Sequence, residues 1–242
     1  WMAENLRTTR YADGTEIPDL VEAGSWASTS AGARASYVNQ APSDSVYGLL
    51  YNGYAAGSAK GLCPEGWRVP GDADWAALSQ HLGGDAVAGG KLKEAGTRHW
   101  ASPNAGGTDE SGFSARPGGS RGADGVFAGQ GYNAFFWSST SAGSGDVWYR
   151  VLYHDGAMLS RLSFRERSGF SVRCLWAYDP LEMADAQVDR VEATAASVAS
   201  EVVSGGGSAV TRRGVVWAQV SDPGADPGTG QGSGQTPDPV LG

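Results

Sequence analysis

Residues 61–82 read Gly-Leu-Cys-Pro-Glu-Gly-Trp-Arg-Val-Pro-Gly-Asp-Ala-Asp-Trp-Ala-Ala-Leu-Ser-Gln-His-Leu. Trp75, Leu78 and Leu82 fall at i, i+3 and i+7, one apolar stripe, which predicts a helix from position 72 to 82. Asp72 and Asp74 occupy its first turn, where the helix dipole favours negative charge. Gly83-Gly84 ends it. Pro64 and Pro70 frame the segment that carries Trp67. Cys63 has one counterpart in the chain, Cys174, in Gly169-Phe-Ser-Val-Arg-Cys, 111 positions on. That spacing contains no CxxC redox motif and no zinc pattern, and His81, His99 and His154 are scattered. The pair reads either as two unrelated buried thiols or as a disulfide. The disulfide is favoured, and it implies export to an oxidising compartment.

Outward from this stretch, a second, shorter helix is expected over 86–94, weakened by Gly89-Gly90. Residues 6–17 read as a hairpin turning at Asp13-Gly14. Residues 22–46, rich in Ala, Ser and Gly, read as an irregular insertion, and 47–56 as a strand followed by a short helical turn. Glycine-rich 101–134 reads as long loops. From 135 to 175 the pattern is strand-like, with a turn at Asp155-Gly156 between 147–153 and 157–167, and a last strand over 170–175. The first 177 residues therefore predict an α+β domain with two helices and a twisted antiparallel sheet.

Composition shifts after Pro180. Residues 188–203 alternate and are rich in Val, Ala, Thr and Ser. Gly205-Gly-Gly is a turn, and 211–218 is a further strand. A closed sandwich needs about seven strands and about 100 residues. At most three strands are legible over 183–220, so this all-β segment reads as partial and not independently stable. The stretch 221–242, rich in Gly, Pro, Ser and Gln, reads as disordered.

Several peptides carry a family resemblance. They are Trp1-Met-Ala-Glu-Asn-Leu-Arg, Cys63-Pro-Glu-Gly-Trp-Arg-Val-Pro, Gly90-Lys-Leu-Lys-Glu, Ser102-Pro-Asn, Glu110-Ser-Gly-Phe, Phe136-Trp-Ser-Ser-Thr, Trp148-Tyr-Arg and Gly169-Phe-Ser-Val-Arg-Cys. In this order, across 1–176, they resemble the Fibrobacter succinogenes major paralogous domain. Arg68-Val-Pro-Gly-Asp-Ala-Asp-Trp is similar to the helix entry of formylglycine-generating-enzyme-type domains. Both resemblances imply a C-type-lectin-like fold for 1–177, in a secreted or surface protein. Gly206-Gly-Ser-Ala-Val-Thr-Arg-Arg-Gly-Val-Val-Trp resembles immunoglobulin-like or fibronectin-III-like repeats of Bacteroidota surface proteins, implying a partial immunoglobulin-like segment over 183–220.

The formal charge is −8, whereas nucleic-acid binding needs a basic footprint. The same charge gives no attraction to anionic lipid. No apolar run approaches the roughly 18 residues of a membrane span, so direct insertion by this segment is not expected. The chain begins at Trp1 with no leader and reads as a mature product or a fragment, which says nothing about export.

The catalytic motifs weigh little. Gly118-Gly-Ser120-Arg-Gly122 matches GxSxG, but Pro117 precedes it and Ala-Asp-Gly follows, without the strand and helix that a nucleophile elbow needs. Gly129-Gln-Gly131 is followed by a strand-like run, so no helix N-terminus would receive a phosphate. None of the three histidines lies in a recognisable catalytic peptide. Formylglycine-generating enzymes use two nearby reactive cysteines, and this chain has Cys174 alone there. The resemblance to a lectin fold raises calcium, for which Asn104, Asp109 and Glu110 offer oxygen ligands. Turn chemistry explains the same residues. The tryptophans of the resembling peptides read as core.

A binding surface is expected on the strands after 146. By alternation Arg161, Arg165 and Arg167 share one face of their strand, and Tyr149 and Tyr153 one face of theirs. With His154 these form the expected ligand surface, suited to an acidic glycan or acidic protein patch. A solvated strand face is the competing reading. The expected function is non-catalytic binding of a glycan or protein ligand outside the cell. The alternatives are an enzyme-like domain lacking its reactive cysteine pair and a purely architectural surface module.

Overall fold

The computed structural model describes residues 1–177 and, beyond them, the strand segments 182–183, 187–191, 196–199, 202–204, 216–217 and 234–235. The chain divides into two units, Trp1–Ala177 and Tyr178–Gly242. In the second, Glu182–Met183 pairs with Val202–Ser204, Gln187–Val191 with Ala196–Ala199, and Val216–Trp217 with Gly234–Gln235, all antiparallel. The remainder of what was expected of 183–220 and of 221–242 lies outside the described residues.

The first unit mixes helices and antiparallel sheets, as its patterning predicts, but with three short helices beyond the two expected. Its helices are α1 (Ala23–Ser28), α2 (Asp44–Tyr47), α3 (Gly53–Ala56), α4 (Asp72–His81) and α5 (Asp85–Leu92). Its strands are β1 (Arg34–Ala35), β2 (Leu50–Asn52), β3 (Trp67–Arg68), β4 (Ser120–Arg121), β5 (Phe127–Ala128), β6 (Asn133–Gly143), β7 (Asp146–Tyr153), β8 (Ser160–Arg165), β9 (Gly169–Phe170) and β10 (Leu175–Trp176). They form a three-stranded sheet β6-β7-β8, a five-stranded sheet β1-β2-β9-β4-β5 and the pair β10-β3. The expected last strand splits into β9 and β10. The stretch between them leaves the five-stranded sheet to run beside β6, with Ser171 N–H donating to Phe135 and Trp137 N–H to Ser171.

The β6-β7 part of the three-stranded sheet is covered on both faces. Phe136 and Trp137 are neighbours in sequence and point to opposite sides. Trp137, Val147, Tyr149 and Val151 enter one core with Tyr51, Val69, Phe170 and the cysteines. Phe136 and Leu152 enter a second core with Trp75, Leu82, Leu92, Trp100 and Phe113, beneath α4 and α5. The expected stripe on α4 is therefore correct in Trp75 and Leu82, with Leu78 partly buried beside them.

Cys63 and Cys174 form a disulfide. Just beyond it β3 and β10 pair, and Trp67 meets Trp176 edge to face at 5.2 Å between ring centres. Met2 N–H donates to the carbonyl of Cys174 at 2.9 Å. The start of the unit, the 61–82 stretch and the end of the unit thus meet at one place.

Buried cations hold the irregular segments. Lys93 Nζ donates to the carbonyls of Ala105, Tyr153 and Gly156 at 2.8, 3.0 and 2.9 Å. Arg121 donates to the carbonyls of Leu20, Val21 and Gly125 and lies on the rings of Trp26 and Phe127. Arg173 donates to Asn5, to Met2 and to Phe113, whose ring it covers. A hydrogen bond from a charged donor contributes about 1.5–3 kcal/mol. Three such clamps fix loops that have few ladder bonds of their own. The 22–46 segment is correspondingly less irregular than expected, since α1 places Trp26, fully buried, under Arg121.

Candidate functional site

The N-terminus of α4 organises a cluster on the face of β7 and β8 that Phe136 and Leu152 share. Gly71 N–H donates to Asp74 at 2.6 Å, one half of a capping box. Arg68 grips the same carboxylate through two bonds of 2.5 and 2.8 Å. Asp72 N–H donates to Thr140 Oγ1 at 2.9 Å, which docks the helix end on β6. This leaves the Asp72 carboxylate pointing at the arginines of β7 and β8. Arg150 Nη1 donates to it at 2.8 Å, and Arg161 Nε at 2.9 and 3.1 Å. Arg150 and Arg161 are directly opposite across the β7-β8 ladder, so one carboxylate serves two cross-strand guanidiniums that would otherwise repel.

Burial pushes the Asp72 carboxyl upward. The hydrogen bonds and charges of Arg161 and Arg150 outweigh it and hold the group below its ordinary 3.8. Arg161 also lies face-on over Trp148, 3.4 Å from the ring centre. The Arg150 side chain is 2% exposed, and that of Arg161 is 41% exposed. Beside them opens a cleft of about 460 Å³ lined by Ala76, Ser79, Gln80, Gly83, Gly84, Asp85, Arg150 and Arg161. Ser79 Oγ donates to Asp85 Oδ1. Counting Asp72, two carboxylates and two guanidiniums border the cleft, so its charges balance, while more of its lining is apolar than polar.

The structure does not bring the expected ligand surface together. Tyr149 is opposite Leu162 in the ladder, not opposite an arginine. It is 7% exposed and packs in the first core, and burial pushes its phenol up to about 12. Tyr153 packs partly against the same core. His154 Nδ1 lies 3.1 Å from the Ser102 carbonyl, and its ring meets Tyr132 edge to face. Arg165 is exposed near Asp146 at 3.6 Å, and Arg167 Nε donates to the Thr29 carbonyl at 3.1 Å. The reason is register. Opposed residues of an antiparallel pair share a face, so the arginines of β8 share theirs with Trp148 and Arg150. The tyrosines share the other with Leu162. Of the expected set, Arg161 alone lies in the cleft. Asp72, Arg150, Trp148, Gln80 and Asp85 were missed. The Trp148-Tyr-Arg alternation carries the signal for two of them.

Of the expected calcium ligands, Asp109 and Glu110 are engaged by protein groups through their carboxylates, and Asn104 through its amide nitrogen. Asn104 is buried, and its Nδ2 donates to the carbonyls of Glu94 and Gly96 at 2.9 and 2.6 Å. Asp109 accepts from Ser114 N–H and Oγ at 2.7 and 2.5 Å. Glu110 pairs with Lys91 at 3.1 Å. Among the described residues no group of three or more His, Cys, Asp or Glu side chains gathers. Turn chemistry and loop pinning account for Asp109, Glu110 and the Asn104 amide nitrogen, while Asn104 Oδ1 is buried without a hydrogen-bond partner among the described residues. Ser120 lies in β4, which runs into its hairpin partner β5 and not into a helix, so it lacks the elbow geometry.

A family model described as the Fibrobacter succinogenes major domain matches residues 1–175. The chain belongs to that family. No curated protein and no solved structure matches it.

Proposed function

We propose that this chain is a non-catalytic binding module that acts outside the cell, with a C-type-lectin-like first unit and a partial immunoglobulin-like segment after it. The observation that carries the reading is the cleft beside Asp72, where Arg161 stacks on Trp148 next to Ser79, Gln80 and Asp85. A cleft with a few convergent polar groups is the usual form of a small-ligand site. A guanidinium, an amide, a carboxylate and a hydroxyl offer donors and acceptors fixed at close quarters, which suits a polyhydroxylated ligand. The charges cancel locally, so the ligand class is a neutral glycan and not the acidic one that three arginines suggest by themselves.

The chemistry favours binding over catalysis. Asp72 is held ionised by two guanidiniums, so it is not poised near neutrality as a general acid must be. Lys93, pushed down to about 8 by burial, is enclosed by three carbonyls and fully buried. Both cysteines are committed to one disulfide, which leaves no thiol for a reactive-cysteine mechanism. That bond also suits an oxidising compartment.

The test is a glycan array probed with the full chain and with its Arg161→Ala variant. Binding to neutral glycans, lost in the variant, is the expected result. An array without hits, or hits that the variant keeps, would overturn the reading.

A further inference from the structure

β8 ends its sheet. The order is β6-β7-β8, and among the described residues no strand pairs with its outer side. Its two faces differ sharply. Leu162 and Phe164, 43% and 46% exposed, lie on one. Arg161 and Arg165 lie on the other, with Arg167 just beyond the strand. Phe164 stacks on Phe170 at 6.5 Å, and Phe170 in turn meets Tyr149 at 4.8 Å and Trp137 at 4.3 Å. The aromatic row of the first core thus runs out to the surface and ends half-covered at Phe164.

We propose that the outer edge of β8 takes up an extended segment of a partner protein in which acidic and apolar residues alternate. An added strand pairs through its backbone, and its side chains alternate between the two faces of the extended sheet. On one face they would cover Leu162 and Phe164 and prolong the aromatic row. On the other they would meet Arg165, with Arg167 in the turn that follows the strand. Among the described residues Arg165 has one weak ionic contact, 3.6 Å from Asp146, and Arg167 reaches a backbone carbonyl and no carboxylate within 4 Å. Both retain capacity for a carboxylate.

Charge selects against a second copy of this chain. Antiparallel pairing of two β8 strands about Ser163 would set Arg161 of each copy against Arg165 of the other, and like charges directly opposite are destabilising. The same arginines that guard the edge against self-association therefore admit an acidic strand. This surface shares β8 with the cleft, which Arg161 lines, but neither Arg165 nor Arg167 lines the cleft.

Two short synthetic peptides test this on the full chain, one alternating glutamate with valine and one alternating lysine with valine. Fluorescence anisotropy reads affinity, and hydrogen exchange reads the amides of 160–165. The acidic peptide is expected to bind and to slow exchange in β8, while the basic one does not bind. The R165E/R167E variant should weaken binding at least about tenfold. Phe164→Ser, a half-exposed site, should weaken it without unfolding the protein. Equal binding of both peptides, binding without protection of β8, undiminished binding by R165E/R167E, or a dimer held through β8 would each overturn the proposal.

Discussion

At the scale of single residues, the molecule is governed by cations that sequence patterning assigns to the surface. Lys93, Arg121, Arg150 and Arg173 are all buried. Lysine and arginine are almost never fully buried unless paired, and nothing in Gly90-Lys-Leu-Lys-Glu says that the second lysine turns inward. Lys93 and Arg121 bond to backbone carbonyls, and Arg173 to two carbonyls and the Asn5 side chain, and the positions of these acceptors depend on the whole fold. Lys93→Met keeps most of the side-chain bulk but leaves three buried carbonyls without a donor. It should cost about 3 kcal/mol or more, read as a lower denaturant midpoint. A variant as stable as the parent would show that Lys93 does not clamp the loops. Arg150→Met removes the buried partner of Asp72 and is expected to cost about 3–5 kcal/mol. Arg161→Ala, on the exposed side of the same carboxylate, should change stability by less than about 1 kcal/mol.

At the scale of elements, α4 was legible because its signals agree: an apolar stripe, acidic first turn and terminal glycines. α5 was legible in place but not in reason. Its glycines weaken a helix by propensity, yet the packing demands them. A Cβ on Gly89 would fall 2.3 Å from the Met158 carbonyl oxygen, and one on Gly90 2.4 Å from that of Gly106. Gly89→Ala should therefore destabilise the protein, although alanine is better by about 1 kcal/mol in an unhindered helix. A rise in melting temperature would contradict that close approach. The Asp74 carboxyl is held below 3.8 chiefly by the hydrogen bond from Arg68. A carboxylate with a depressed folded pKa stabilises fully above its unfolded value and loses that contribution as pH falls through the folded one. The α4 N-terminus should thus loosen below about pH 3.8, and Asp74→Asn should remove this part of the acid dependence. An identical acid-unfolding profile for the variant would count against the cap. The strands were legible by their alternation, but their faces were not. Alternation fixes which residues of one strand go together, while register decides which set of the next strand joins them. Tyr149 and Arg161 were separated by that step alone.

At the scale of the whole molecule, the disulfide and the family were legible from peptides spread along the first unit, three of which, those of Trp1, Cys63 and Gly169, meet where the disulfide, β3 and β10 lie. Replacing both cysteines by serine should cost about 4–5 kcal/mol on the chain-entropy account of so long a loop. The cleft was not legible, since it joins α4, the turn after it, β7 and β8, and only the assembled fold places Asp72 between two strands. The account stands or falls on that cleft being a ligand site. The direct measurement is an NMR titration of the full chain with the neutral glycan that the array selects. The Trp148 indole, Gln80 and Arg161 signals should shift together and saturate, while the buried Tyr149 stays fixed. Saturable binding that leaves Trp148, Gln80 and Arg161 unmoved would contradict it.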